Sequence, residues 1–276
     1  MSNKKATKNV EIKNIFIKSN SNSSSKKVYP LLMDKLINAG FNVINEFDSI
    51  CDLIISIGGD GSFLKNVHDL EYPDSIFVGI NTGHLGFFQD VIPSEIDYLI
   101  DCIKKSNYEI QNVLPLHANI RTQLRDYTIH SINEFAIKGY KNKTVHLNLS
   151  IDNKHMECFS GDGIIISSST GSTAYNYSAG GSIIDPRLNL IQVTPIAPLN
   201  SNAYRSLTSS IILPYKAKVI VTPENQHQNT TIFLADAIQY KYEKLYSMEI
   251  SYSKHKIKLM RLESYKFWTK VKEKFL

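Results

Sequence analysis

Cysteine is scarce in this chain. Cys51, Cys102 and Cys158 are the only three among 276 residues, and they are widely spaced. An odd, scattered set excludes a disulfide framework and lacks the paired spacing of a zinc site, so a reducing cytoplasm is the expected compartment. Long apolar runs are also missing. None approaches the roughly 20 residues of a membrane-spanning helix. The basic start Met1-Ser2-Asn3-Lys4-Lys5 is not followed by an apolar stretch, so neither a membrane partner nor a secretion signal is expected. Triplets such as Asn142-Lys143-Thr144 are then chance matches to a glycosylation site. There is no clustered basic stripe: the net charge is +5, but the lysines are scattered apart from the two ends, so no nucleic-acid partner is expected. The surplus serves solubility and equally suits polyanionic small molecules. Two familiar glycine signatures are absent too. A P-loop needs lysine after its last glycine, but Lys65 follows Leu64. A G-x-G-x-x-G fingerprint begun at Gly59 would need glycine where Leu64 stands.

What is present is the stretch Leu53-Ile54-Ile55-Ser56-Ile57-Gly58-Gly59-Asp60-Gly61-Ser62. An apolar run fit for a buried strand ends in three glycines around one carboxylate. Glycine lets the backbone bend and approach a ligand closely, and open α/β sheets bind ligands at the carboxyl ends of their strands. Backbone N–H groups there suit phosphates. A carboxylate does not, since like charges repel. Asp60 makes better sense as a group that takes a proton or holds a metal ion, which points to phosphoryl transfer. The blander reading of the tract is a plain loop between strand and helix.

The first part of the chain alternates strands and helices. Strands are expected over residues 12–17, 41–44, 53–57 and 76–80. Helices are expected over 28–39, capped by Gly40, over 62–68, and over 93–105 with Pro93 near its start. A Ser/Asn-rich loop is expected over 18–27. This alternation predicts a doubly wound, mostly parallel sheet. From about residue 108 to 250 the pattern becomes short β-rich runs, of which 145–151 alternates cleanly and 211–213, 219–221 and 231–234 are further candidates. That predicts a second, all-β domain, interrupted by one helix over 172–179. The tail, 266–275, reads as a basic amphipathic helix packing on the body. The expected division is 1–108, joined by the tail 251–276, and 109–250.

Other constellations carry chemistry. Gly79-Ile80-Asn81-Thr82-Gly83-His84-Leu85-Gly86-Phe87 is a second glycine loop directly after an apolar strand, and Phe87 and Phe88 are candidates to stack a base, with core packing the plainer alternative. Asn133 and Glu134 can bond sugar hydroxyls, Glu134 as an acceptor. Gly161-Asp162-Gly163 precedes an apolar run that leads into the hydroxyl-rich stretch 167–176. Hydroxyls at a helix N-terminus hold phosphates or sugars, or simply cap the helix.

Gly-Gly-Asp-Gly, Asn-Thr-Gly-His-Leu-Gly-Phe, Asn-Glu and Thr-Gly-Ser-Thr-Ala-Tyr occur in the order and rough spacing of the NAD kinase family, with Thr194-Pro195-Ile196-Ala197-Pro198-Leu199-Asn200 as a further block. Over residues 54–214 the chain resembles a short, Gram-positive-type bacterial member of that family. The resemblance implies transfer of the γ-phosphoryl group of ATP to the 2′-hydroxyl of the adenosine ribose of NAD. It also implies an α/β domain joined to a β-sandwich-like domain, with the tail returning to the first. By the family's motifs Asp60 is the general base, and Gly58, Gly59 and Gly61 hold phosphates. The dinucleotide is held by Asp60, Gly61, Phe87, Phe88, Asn133, Glu134, Asp162, Thr170, Thr173, Ala174, Tyr175 and Ser178. Asn133 and Glu134 would take the ribose and Asp162 the nicotinamide end. Asp236 is a weaker candidate. Mg²⁺ is expected with ATP and not from a protein-built metal site, and the assembly expected is a homodimer or homotetramer.

The chain departs from the family pattern at three places. Ser169 stands where proline is usual, which would loosen the loop. Phe88 replaces a frequent tyrosine and loses one hydroxyl. Ser160 replaces a basic residue found in some relatives, putting a phosphate contact in doubt. Two other readings compete: a lipid kinase with a Gly-Gly-Asp-Gly tract, which needs an apolar acceptor pocket, and a non-enzymatic dinucleotide sensor, which would bind NAD without consuming ATP.

Overall fold

The computed structural model describes residues 11–200 and 205–276. The basic start at residues 1–5 lies outside the described residues. The chain divides into two compact units, Met1–Val113 with Ile257–Leu276, and Leu114–Lys256.

In the first unit, six strands lie in the order Asn42–Ile44, Asn14–Ser19, Leu53–Gly58, Ile76–Asn81, Ile257–Arg261 and Glu109–Val113. All neighbours run parallel except the last pair. Leu53–Gly58 and Ile76–Asn81 are buried along their whole length, as expected of parallel strands covered on both faces. Leu53, Ile55 and Ile57 share a core with Val28, Leu32 and Leu36 of the helix Ser23–Asn38 and with Leu99 and Ile103 of the helix Ile96–Lys104. On the other face, Ser56 accepts a bond from Asn66 of the helix Asp60–Asp69, and the rings of Phe63 and Phe77 meet edge-on at 5.5 Å. The chain leaves Asn14–Ser19 toward one edge of the sheet and returns to Leu53–Gly58 on its other side. The carboxyl ends of those two strands therefore form a topological switch point, the place where such sheets bind ligands.

Several boundaries differ from the sequence reading. The helix Ser23–Asn38 begins inside the stretch expected to be a loop; Ser25 in its first turn is buried, and its hydroxyl meets that of Thr82 at 2.7 Å. Asp60, not Ser62, opens the next helix, with Gly59 at its N-cap. Glu109–Val113 belongs to the first sheet, whereas Ser251 and Tyr252 continue a strand of the second unit, Leu245–Tyr252. Over 170–178 a 3-10 turn, Thr170–Thr173, precedes a single helical turn, Tyr175–Ser178.

The second unit is a sandwich of two six-stranded antiparallel sheets. Val145–Ile151 alternates as read from the sequence, and Val145, Leu147 and Leu149 point into one core with Phe135, Ile137, Ile164 and Ile166.

Leu32 is wholly buried against the parallel sheet. Leu32→Ala is expected to lower unfolding free energy by about 2–5 kcal/mol, the usual range for a leucine truncated in a packed core. Urea denaturation followed by circular dichroism checks this, and a change below half a kcal/mol would contradict the packing described.

Candidate active site

The first unit builds its site around Asp60. Leu53–Gly58 ends at Gly58, whose φ of +152° and near contact with Ser62 leave no room for a side chain. The chain thus turns from strand to helix within two residues. Asp60 lies in the first helical turn, where the free N–H groups and the dipole favour an anion. Its carboxylate is held by two backbone donors from the second glycine loop: Phe87 N–H to Oδ2 at 2.9 Å and Phe88 N–H to Oδ1 at 3.0 Å. Gly86 permits this approach, since a Cβ there would lie 2.2 Å from Oδ1. Asn81 folds the loop on itself, accepting from Gly83 N–H and donating to His84 O. Gln89 donates to Gly59 O at 2.7 Å, and Asn20 to the Ser62 hydroxyl at 2.8 Å.

Phe87 and Phe88 do not present free ring faces. Phe88 stacks on Phe63 at 4.8 Å, and Phe87 packs against Phe267 and Phe275 of the C-terminal helix Phe267–Phe275. Both residues are buried. That helix also brings cations to the site. Lys274 Nζ stands 3.7 Å from Asp60 Oδ2, and Lys270 lies half-buried on the second glycine loop, paired with Asp90 at 2.6 Å. Burial pulls the Lys270 ammonium below the usual lysine range, and the Asp90 carboxylate opposes this. The sequence reading assigned these lysines no role. Their spacing of four, which puts both on one helix face, was the available signal.

The second unit gathers Asn133, Glu134 and Asp236. Asp236 follows the strand Thr231–Ala235 in a left-handed conformation, φ +47°. Its carboxylate accepts from the Ser131 hydroxyl, Ile132 N–H and Asn133 N–H, each at 2.7 Å. This fixes the turn between Asp126–Ser131 and Glu134–Gly139. Ser168 ties the same turn from the other side, donating its N–H to Asn133 O and its hydroxyl to Ile132 O. Gly171 lies against Asn133 O, where a Cβ would come within 2.1 Å. The turn leaves two buried polar atoms without a hydrogen-bond partner, Asn133 Oδ1 and Glu134 Oε2. Burial pushes the Glu134 carboxyl up to about 8, and the charge of Asp236 adds to the rise against an opposing bond from the Tyr175 backbone. At neutral pH Glu134 is therefore mostly protonated and can donate as well as accept, which amends the expectation of an acceptor alone.

Near this turn, Thr173 is buried, Thr170 and Ala174 are partly exposed, and Tyr175 and Ser178 are exposed. The Tyr175 hydroxyl accepts from Lys138 Nζ at 3.2 Å. Ser169, expected to loosen the loop, pins it: its N–H donates to the Tyr252 hydroxyl at 3.2 Å, and its hydroxyl accepts from Leu190 N–H at 2.9 Å and bonds Leu188 O. Asp162 stands apart from the group. It is exposed at the Gly163 end of the strand Gly163–Ser167, whereas Ser167 pairs with Glu134 at the other end, roughly 17 Å away at about 3.4 Å per residue. Ser160 is buried and bonded to Ser206. No group of three or more His, Cys, Asp or Glu able to hold a metal occurs among the described residues, and no described helix is long and apolar enough to cross a membrane.

Known proteins resemble the whole chain. The family model of the ATP-NAD kinase N-terminal domain matches residues 4–108, and that of the ATP-NAD kinase C-terminal domain matches 132–262. An NAD kinase of Finegoldia magna is 40% identical over 97% of this chain and 99% of its own length. One from Streptococcus gordonii is 37% identical over 96% of each. In fold, the chain resembles yeast NADH kinase complexed with NADH, with a TM-score of 0.83 at 19% identity over 96% of this chain and 88% of the yeast chain. It also resembles an NAD kinase from Archaeoglobus fulgidus in complex with ATP, with a TM-score of 0.76 at 22% identity over 94% and 98%.

Glu134 provides a test that needs no ligand. Its folded value of about 8 lies above the ordinary 4.5, so the folded state holds a proton that the unfolded state has lost. Stability from this group is full below about 4.5 and falls as pH rises toward 8. Glu134→Gln is expected to flatten the decline in urea midpoint between these limits. An unchanged slope would show that Glu134 is not buried as described.

Proposed function

The chain belongs to the ATP-NAD kinase family, and on that premise we propose that it transfers the γ-phosphoryl group of ATP to the 2′-hydroxyl of the adenosine ribose of NAD, giving NADP, with Asp60 as general base. The observation that carries this reading is the hold on Asp60 by the Phe87 and Phe88 amides beside a glycine tract at a helix N-terminus. A ribose hydroxyl is a weak nucleophile. Asp60 takes its proton as the oxygen bonds to the γ-phosphorus, the bond from phosphorus to the β-bridging oxygen breaks, and ADP leaves with that electron pair. Gly58, Gly59 and Gly61 line the phosphates through backbone N–H groups, as helix N-termini do. Such transfers depend on positioning and charge stabilisation.

Asn133 and Glu134 take ribose hydroxyls, a role supported by the lack of a hydrogen-bond partner for Asn133 Oδ1 and Glu134 Oε2. Two buried polar atoms suit a sugar and disfavour an acyl chain, which speaks against a lipid acceptor. Thr170, Thr173, Ala174, Tyr175 and Ser178 border the dinucleotide. A role for Asp162 at the nicotinamide end requires the dinucleotide to extend along Gly163–Ser167. Mg²⁺ would be carried with ATP and would offset the charge of its phosphates. Cytoplasmic location fits three free thiols. A homodimer or homotetramer is the proposed assembly, and light scattering reporting a monomer at assay concentration would refute it.

The test incubates purified protein with NAD, ATP and Mg²⁺ and reads NADP with an NADP-specific dehydrogenase. Asp60→Asn is expected to lower kcat by about 10²- to 10⁴-fold, the range for a lost general base, while NAD binding by calorimetry is retained. NAD binding without product in the native protein would favour the sensor. Unchanged turnover in Asp60→Asn would remove Asp60 from the mechanism.

A further inference from the structure

Lys270 is deeply placed for a lysine, with 12% of its side chain exposed. An ammonium has three donors and no acceptor, and here each has a partner: Gly86 O and Gln89 O at 2.9 Å and Asp90 Oδ1 at 2.6 Å. Asp90 is itself only 3% exposed and also accepts from Arg261 at 2.8 Å, so the cation sits in a fixed, compensated frame.

The first of these acceptors matters most. The Gly86 carbonyl and the Phe87 N–H belong to one peptide group, and that N–H donates to Asp60 Oδ2 at 2.9 Å. The peptide is planar, so a contact that fixes the direction of its C=O also fixes its N–H. A cation on the oxygen also polarises the opposite N–H and strengthens its bond. The second acceptor adds a parallel tie, since Gln89 also donates its side-chain amide to Gly59 O, one residue before Asp60. The same helix covers the junction, with Phe267 and Phe275 on the Phe87 ring and Lys274 Nζ 4.9 Å from its centroid.

We propose that Lys270 is a positioning residue for the base: through the Gly86–Phe87 peptide it sets the direction in which the Asp60 carboxylate is held and thereby which lone pair is left to take the proton. This rests on the reading of Asp60 as base given above. Lys270 touches neither substrate nor reacting atom, and its effect falls on turnover and not on dinucleotide affinity.

The experiment pairs amide hydrogen exchange over residues 81–90 with NADP-forming kinetics in the native protein, Lys270→Met and Lys270→Arg. In the native protein the Phe87 and Phe88 amides are expected among the slow exchangers. In folded Lys270→Met they exchange at least about 10-fold faster, while Leu53–Gly58 stays protected. There kcat falls about 10- to 100-fold, the scale of a slightly misplaced catalytic group, with KM for NAD little changed, and Lys270→Arg recovers part of kcat. Fast exchange at both amides in the native protein would overturn the proposal, as would native exchange and kcat in Lys270→Met. A fall in kcat that merely tracks the folded fraction would overturn it too. If Lys270→Met does not fold, Lys270→Gln and the native exchange pattern carry the test. Slow exchange that Lys270→Met abolishes, in a protein making no NADP, would overturn the assigned reaction and still support the hold on Asp60.

Discussion

Two backbone N–H groups hold one carboxylate, and much of the first unit is arranged to allow it. For the amides of Phe87 and Phe88 to reach Asp60, the strand Leu53–Gly58 must turn into a helix at once, which the positive φ of Gly58 permits. The facing loop must come within van der Waals range of the carboxylate, which only a residue without a side chain at position 86 allows. Asn81 folds that loop, and Thr82 N–H ties it to Gly58 O at 3.2 Å. Gly58 and Gly86 therefore serve the geometry of the acid directly. The helix dipole adds to the same end, since its positive terminus lies at the carboxylate.

The second unit treats its acids differently. Asp236 accepts from two backbone N–H groups and the Ser131 hydroxyl of the turn 131–133. Because it takes the N–H groups there, the neighbouring Asn133 and Glu134 side chains are free to keep unused capacity. An unpartnered buried polar atom costs roughly 1–3 kcal/mol, and a ligand hydroxyl that meets it recovers part of that penalty. The burial that raises the Glu134 carboxyl also leaves its Oε2 without a hydrogen-bond partner.

The architecture was legible where the pattern is local. Leu53–Gly58 and Val145–Ile151 announce themselves by an unbroken apolar run and by strict alternation. Ser23, Ser24 and Ser25 read as loop because serine competes for backbone bonds, yet they form the first turn of the helix, with the Ser25 hydroxyl bonded to that of the distant Thr82. The strand Glu109–Val113 owes its place to Ile257–Arg261, with Gln111 and Arg261 separated by 150 residues. No local signal carries such a pairing. Asp60, Asn133 and Glu134 were visible through their motifs. Lys270 was not, because its burial is decided by Asp90 and two carbonyls of another segment.

The hydroxyl-rich stretch shows how composition can overstate contact with a ligand. Ser167, Ser168, Ser169 and Ser172 are buried, and each hydroxyl is already bonded to the protein, to the turn at 132–133 or to the segment at 184–190. They are scaffold. What they support is the short run Thr170, Thr173, Ala174, Tyr175 and Ser178, of which Tyr175 and Ser178 are exposed, Thr170 and Ala174 partly so, and Thr173 is buried. The same logic explains why Ser169 replaces proline without loosening the loop. Proline would restrict φ and offer no donor. Serine supplies an N–H to Tyr252 and a hydroxyl to the 188–190 backbone, so rigidity lost from the ring is regained through bonds to a neighbouring strand.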